Sequence, residues 1–534
     1  MGSGQRGVAT RLMAAAKSVI ARWGSLPVLA IAAVAYAVWL VALGRGQWFV
    51  TDEFGYFVPD STALIVWLFT PHNEHSILTT KLWFNILFPL VGLRHYVLYL
   101  VPLVVAHVVA IALIYRLTWI TTASRVLAAG TALMAAMMGA GAGTLTWAGQ
   151  LQVVGSLAAG LFAIDLAFEP RTNWRLAFVA VTALIGALTG TAFVALALAA
   201  AAAFAYRRRW IESVLISFVP LVWLLVVRMV WAPVNPYGAS SIDQVLRLGP
   251  GFAFTVLDTA ISQTFGGVPT VAVLVALTTA VGAALWKPRM QPARQVVGTL
   301  TLATLASIAV LVIGRLGLPQ TVARGGGYSY MLLLTIVPLI GITLGQFARS
   351  KVSVVAAVVI VVPIALLGYG RLTETARDLS AWRQQGARLM QASAVLLTRG
   401  APVYSDQVPV PETAPTVSQA VIRSWVASGR LDAVDSGQVT GDQVSLNMQW
   451  RLGPDAELGG DCTSLGTGQQ IDISPGAAPA VSAPDAPAAV AVRYPTSPAV
   501  RRFELATAST IQSVASRDAV VSIAAGSVSV CDAD

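Results

Sequence analysis

Carboxylates are few in residues 1–370, and four of the nine crowd one stretch together with imidazoles. Asp52 and Glu53 are adjacent, Asp60 follows, and His72, Glu74 and His75 close the group. Adjacent carboxylates point about 100° apart in a helix and to opposite sides in an extended turn. One can therefore serve as a general base while the other binds a metal or orients a neighbour. His72 and His75, three residues apart, share a helical face at a spacing that suits metal binding, with Asp52 or Glu53 as a third ligand. The alternative is a solvated interfacial loop. A second group stands far downstream: Arg315, then Arg324, three glycines at 325–327, Tyr328 and Tyr330. Glycines permit close backbone approach, and a guanidinium is suited to a phosphate. The alternative is a positive loop with no ligand.

These groups belong to a chain of 534 residues, 56% hydrophobic and 11% charged, with a mean hydropathy of +0.71. A soluble globular protein carries about 25% charged residues, so a wholly cytosolic enzyme is excluded. Intrinsic disorder, which needs low hydrophobicity, is excluded too. The apolar residues come in blocks of about eighteen, enough to cross a bilayer as helices. Period-two alternation is missing from 26–370, which argues against a barrel. The expected fold class is an α-helical polytopic membrane protein with about eleven transmembrane helices.

Charge placement supplies the topology. Residues 1–370 carry a net +14 and the remainder a net −4. The positive excess sits in short loops beside apolar blocks, where it sets orientation and does not imply nucleic acid. Residues 1–25 hold Arg6, Arg11, Lys17 and Arg22 without an acid, placing the N-terminus in the cytoplasm. Spans are expected at 26–43, 96–114, 126–143, 151–168, 176–189, 191–206, 214–231, 268–286, 296–313, 328–345 and 352–369. Arg207, Arg208 and Arg209 form the firmest cytoplasmic mark. The first extracytoplasmic loop, 44–95, is large, and within it 76–87 is amphipathic and expected on the membrane surface, with Lys81 and Asn85 on a polar side. Residues 232–267 read as a long outward loop with a polar rim. Asp165 and Arg228 read as a structural pair or as snorkelling residues.

An odd number of spans puts the tail outside. Residues 371–534 have no apolar block: a juxtamembrane helix is expected at 373–397, then a small β sandwich from short runs at 402–404, 444–450, 489–494 and 519–531. The segment 476–487 reads as a flexible loop. The two cysteines of the chain, Cys462 and Cys531, both fall here, either bridged in an oxidising compartment or as two buried thiols; the outward placement favours the bridge.

The acidic pair in FVTDEFGYF after the first span, the polar HNEH motif in the same large loop, and the late Arg/Tyr segment TVARGGGYSY before a membrane helix together resemble the GT-C superfamily of integral-membrane glycosyltransferases, especially actinobacterial cell-envelope members. The resemblance covers roughly 26–369. It implies a plasma-membrane enzyme that moves a sugar from a polyprenyl-phosphate donor to an envelope glycan or lipid acceptor on the extracytoplasmic face. Asp52 would be the base of an inverting-type attack, with Glu53 and Glu74 as alternatives. Arg324, Arg315 and Tyr328 would take the donor phosphate, and His72, Glu74 and His75 would take the acceptor or a divalent cation, Mg or Mn. No nucleotide cofactor is implied, and no Rossmann fingerprint is seen. The tail would bind glycan, dock on the catalytic loops or act as a lid. A lipid or glycan transporter, or a non-catalytic envelope assembly protein, is the competing reading; transporters favour inverted repeats and midplane breaks, and no repeat is seen.

Overall fold

The computed structural model describes residues 26–533 except 60–61, 74, 171–173, 232–234, 236, 267, 287–290, 319–325, 348–350, 404–406, 435–436, 455–461, 474–477, 484–486, 506–508 and 514–518. Helices dominate the first two thirds. In chain order, α1 is Leu26–Leu43, a 3-10 turn covers Thr51–Tyr56, and α2 (Leu64–Phe69), α3 (Leu78–Val91), α4 (Tyr96–Thr122), α5 (Arg125–Ala136) and α6 (Ala142–Leu145) follow. Next come α7 (Leu151–Phe168), α8 (Arg175–Thr189), α9 (Phe193–Tyr206), α10 (Trp210–Trp231), α11 (Ile242–Phe265) and α12 (Thr270–Trp286). The last long helices are α13 (Gln291–Arg315), α14 (Gly326–Phe347) and α15 (Lys351–Thr398).

All eleven apolar blocks are helical. Among the described residues six helices are long and apolar enough to cross a bilayer, and up to eight spans result if each bent pair counts as one. α8 and α9 have only 15 and 14 residues, below the roughly 20 a full crossing needs. The long helices expose many large apolar side chains, among them Ile31 and Val38 on α1 and Ile211, Phe218 and Met229 on α10. In water such a surface would aggregate; in lipid it costs nothing. The chain is therefore a multi-spanning membrane protein.

Two compact units form. One gathers the described residues up to Arg45, Leu68–Thr80 and Tyr99–Arg377; the other gathers Gly46–Trp67, Lys81–Leu98 and Asp378–Asp534. The first is a helical bundle whose core runs through α4, α7, α9, α13 and α14. Six alanines of α9 are buried, so its neighbours α7, α10 and α13 approach closely. At its rim Arg116 Nε meets Asp165 Oδ1 at 2.9 Å and also pairs with Glu169, so Arg116, not Arg228, is the acid's ion-pair partner.

The second unit carries the β structure. Strands β1 (Trp450–Pro454), β2 (Cys462–Gly466), β3 (Gln470–Ile473), β4 (Ala478–Ser482), β5 (Ala488–Arg493), β6 (Val500–Leu505), β7 (Ser509–Ser513), β8 (Ala519–Ala525) and β9 (Ser527–Ala533) make two antiparallel sheets, ordered β1-β7-β4-β9-β2 and β3-β8-β5-β6. Val481, Val490, Val492, Ile511, Val521 and Val528 contribute to one core shared by both sheets, the signature of a sandwich.

Five local expectations change. Residues 232–267 are not chiefly loop: α11 starts at the Ser241 N-cap and ends at left-handed Gly266, burying Val256, Ala260, Ile261 and Thr264 at helical spacing. The expected eleventh span and juxtamembrane helix are one helix, α15, because no proline separates them after Pro363. The run 444–450 is helical up to its last residue, in Gln438–Gln449, where Ser445 Oγ bonds Gln449 Oε1 and Tyr494 Oη. Its polar i, i+4 pairing outweighs a β-favouring composition. Residues 478–482 of the expected flexible loop form β4, and 519–531 folds back as the β8–β9 hairpin about Gly526 at φ +84°.

Candidate functional site

The acidic pair lies on the 3-10 turn of the second unit. Successive residues of such a turn diverge by about 120°, and the two carboxylates consequently meet opposite surroundings. Asp52 is exposed; Glu53 is fully buried. Glu53 accepts at Oε2 from the Val50 amide (3.1 Å) and at Oε1 from the Tyr96 hydroxyl (2.8 Å). These donors hold a carboxylate that burial alone would penalise. Thr51, just before the pair, has φ +42°. For a β-branched residue that is strained backbone, of a kind concentrated at functional sites; its amide donates to Thr413 O at 2.6 Å, pinning the kink. Tyr56 is buried below the pair, and its hydroxyl is pushed well above the usual tyrosine range by burial and then by the charges of Asp52 and Glu53.

α3 braces this turn. Its polar residues do not face water as the amphipathic pattern implies. Asn85 Nδ2 donates to Tyr56 O (2.9 Å) and its Oδ1 accepts from the Val58 amide (2.8 Å). Lys81 is fully buried, with Nζ 3.9 Å from the Trp67 ring centroid and donating to Trp67 O at 3.0 Å. Trp67 Nε1 in turn donates to Tyr56 O. Burial brings the Lys81 ammonium down to about 8. The polar face was legible in the sequence; that it closes on the Thr51–Tyr56 segment was not, because periodicity says nothing about what a face packs on.

The histidine motif belongs to the helical unit and is a tight turn, not a helix. His72 and His75 exchange backbone hydrogen bonds of 2.9 and 3.0 Å, with Asn73 left-handed at φ +52°, a conformation asparagine tolerates. Hence the shared helical face assumed for the two imidazoles does not exist. His75 Nδ1 lies 3.0 Å from Thr191 Oγ1, and Nε2 bonds Arg315 Nη2. A guanidinium can only donate, so Nε2 accepts and the ring proton sits on Nδ1, toward Thr191. Thr191 comes from the α8–α9 turn and Arg315 from the last residue of α13. Next in sequence, Ser76 Oγ accepts from Trp223 Nε1 of α10 at 2.9 Å, and Phe69 packs edge-on against Trp223. Two of the site residues singled out in the sequence, His75 and Arg315, thus meet across 240 positions. Thr191 and Trp223 carried no motif to reveal them.

Arg324 and Glu74 lie outside the described residues. Tyr328 packs, partly buried, against the bundle core from the first turn of α14. Among the described residues no three of His, Cys, Asp and Glu gather to hold a metal ion, and both ring nitrogens of His75 are engaged, by Thr191 and Arg315. His95 is exposed. His107 is buried in the bundle: Tyr330 Oη lies 2.7 Å from Nδ1, Tyr36 Oη lies 3.0 Å from Nε2, and Tyr36 donates onward to Ala136 O. In the tail, Cys462 and Cys531 face each other across β2 and β9 and are joined by a disulfide.

No protein-family model matches the sequence, and no curated protein does. Among solved structures the chain is similar to ArnT from Cupriavidus metallidurans, solved bound to undecaprenyl phosphate, at 13% identity and a TM-score of 0.45, over 80% of this chain and 92% of that one.

Proposed function

We infer that this chain is a GT-C-type membrane glycosyltransferase that moves a sugar from a polyprenyl-phosphate donor to a glycan or lipid acceptor of the cell envelope. The observation that carries the reading is the meeting of Arg315 with His75 and Thr191. A half-buried guanidinium, oriented by an imidazole and a hydroxyl, presents a planar fork of donors, the geometry that recognises a phosphate. Low surrounding dielectric strengthens those bonds.

In this reading Asp52 accepts the proton of an acceptor hydroxyl, whose oxygen attacks the anomeric carbon. The bond from that carbon to the lipid phosphate breaks, and inversion results. Arg315, with Arg324, stabilises charge on the departing phosphate. The exposure of Asp52 and the strained Thr51 before it support the assignment of the base. Glu53, with its two oxygens bonded by the Val50 amide and the Tyr96 hydroxyl, orients the segment and leaves the proton transfer to its neighbour. The outward face of the plasma membrane is the compartment that a lipid-linked donor and the disulfide both suit.

The test is transfer by the full-length protein in lipid nanodiscs from a radiolabelled polyprenyl-phosphate sugar to an envelope glycan. Glycosidic product from the wild type and none from Asp52→Asn is the expected result. Movement of the labelled lipid across a vesicle without product would replace the enzyme with a transporter.

A further inference from the structure

A cleft opens where α5, α14 and α15 meet. It has about 300 Å³ of space, open on one side, and its lining includes Val126, Gly130, Met134, Ile340, Leu344 and Val361. Small residues at the helix crossings shape it. A Cβ on Gly341 of α14 would overlap Thr131 Oγ1, so α5 and α14 close on each other there and form the floor. A Cβ on Gly130 would stand 3.4 Å from Val361 Cγ1, which makes α15 a wall. Thr131 is the one polar side chain of the lining, and its hydroxyl already donates to Leu127 O at 2.8 Å. An apolar cleft of this kind stays dry and takes hydrocarbon.

The mouth of the cleft has the opposite chemistry. Val126 lies in the first turn of α5, directly after Arg125, which starts that helix. Arg125 is exposed, and its guanidinium lies over the Trp119 ring of α4, 5.7 Å from the centroid. A Cβ on Gly345 would overlap Thr122, so the α4–α5 turn packs on the end of α14, next to Leu344. An arginine and a tryptophan together mark the headgroup level of a bilayer. Val126 at the rim and Val362 beside Val361 are exposed, so the opening faces lipid. The cleft is remote from Arg315. Thr304 Oγ1 of α13 donates to Thr335 Oγ1 of α14 at 2.9 Å, near the middle of both helices. The two run antiparallel, so Arg315 and Gly326 share one membrane end and Ile340 lies about 21 Å along α14 toward the other.

We propose that this cleft holds one anionic phospholipid, with an acyl chain lying along the apolar lining and the phosphate on Arg125. The site stands apart from the glycosyltransferase reading, whose lipid phosphate belongs at the opposite membrane end. The charge at the mouth selects the occupant: a guanidinium donates to a phosphate, whereas a second transmembrane helix would gain nothing from it. A lipid that binds the folded bundle and not the unfolded chain also stabilises the protein.

The experiment titrates the full-length protein in detergent with phosphatidylglycerol or with phosphatidylcholine of the same chains, and reads bound lipid by native mass spectrometry and Tm by thermal unfolding. The wild type is expected to hold one phosphatidylglycerol, to gain Tm as it binds, and to prefer it to phosphatidylcholine. Arg125→Gln is expected to weaken phosphatidylglycerol binding by about fivefold, the share of one cation at a membrane surface, and to erase the preference. Arg125→Lys recovers most of it. Gly130→Leu, which places a side chain in the cleft, weakens both lipids alike; if that variant does not fold, the Arg125 pair decides alone. Equal binding of the two lipids by the wild type, unchanged binding in Arg125→Gln, or unchanged binding in a folded Gly130→Leu would overturn the site. A Gly130→Leu protein that changes oligomeric state and not lipid content would give the cleft to a second helix instead.

Discussion

The Thr51–Tyr56 turn and the His72–His75 turn belong to the same inter-span loop but are held by different means. The first is braced mainly from nearby: Tyr96 on Glu53, Asn85 on Tyr56 and Val58, and Trp67 on Tyr56, with Thr413 as a distant tie. The second is organised from afar, by Thr191, Trp223 and Arg315. Local bracing presents one carboxylate outward and keeps its neighbour buried. Distant bracing brings a cation to an imidazole that the sequence places with acids. A base needs a reproducible direction of approach, which a stiff local turn supplies. In the proposed reading the phosphate takes a donor from a distant helix, which the His72–His75 turn could not supply by itself.

The contrast breaks first at Asp52. Asp52→Asn is expected to lower kcat by about 10³-fold, within the range general-base removal gives, with Tm unchanged. Glu53→Gln is expected to do the reverse, lowering Tm while the folded fraction retains most activity. Equal thermal losses from the two variants would erase the distinction between them. Next in size is Arg315→Met, expected to cost about 10²-fold in kcat/KM for the lipid-linked donor, with Arg315→Lys recovering only part because an ammonium lacks the planar fork. A full recovery with lysine would reduce Arg315 to a point charge.

Smaller effects sharpen the picture of the braces. Tyr96→Phe deletes one hydrogen bond to a buried carboxylate and should destabilise the protein by about 1.5–3 kcal/mol, measured by denaturant or thermal unfolding in detergent; no change would mean that Tyr96 does not hold the turn. The smallest is a pH slope. Lys81 falls from 10.5 to about 8 through burial. Its folded form binds the proton more weakly than the unfolded chain does, so between about pH 8 and 10.5 the unfolded state holds more protons and stability rises with pH. Lys81→Met should flatten that rise, and a wild type with no rise across the window would contradict the desolvated ammonium.

Much of this was legible beforehand where the determinant is local. Hydrophobic runs become helices wherever they sit, because in lipid the backbone must satisfy itself; the blocks at 96–114 and 151–168 lie within α4 and α7 for that reason. The concentration of acids and histidines in 44–95, the β composition of the tail and the confinement of both cysteines to it are properties of composition alone. What composition leaves open is which surface meets which. Asp52 and Glu53 differ by one methylene, and only the turn that buries one beneath Tyr96 separates their roles. The three-residue spacing of His72 and His75 suits metal ligands on a helix, whereas packing of the α8–α9 turn and the end of α13 makes the partners of His75 a hydroxyl and a guanidinium. The run at 444–450 favours strands by residue type, yet Tyr494 and Gln449 capture Ser445 in a helix. In each case a short-range preference of a few tenths of a kcal/mol yields to contacts between segments far apart in the chain, and those contacts exist only once the helices and sheets have packed.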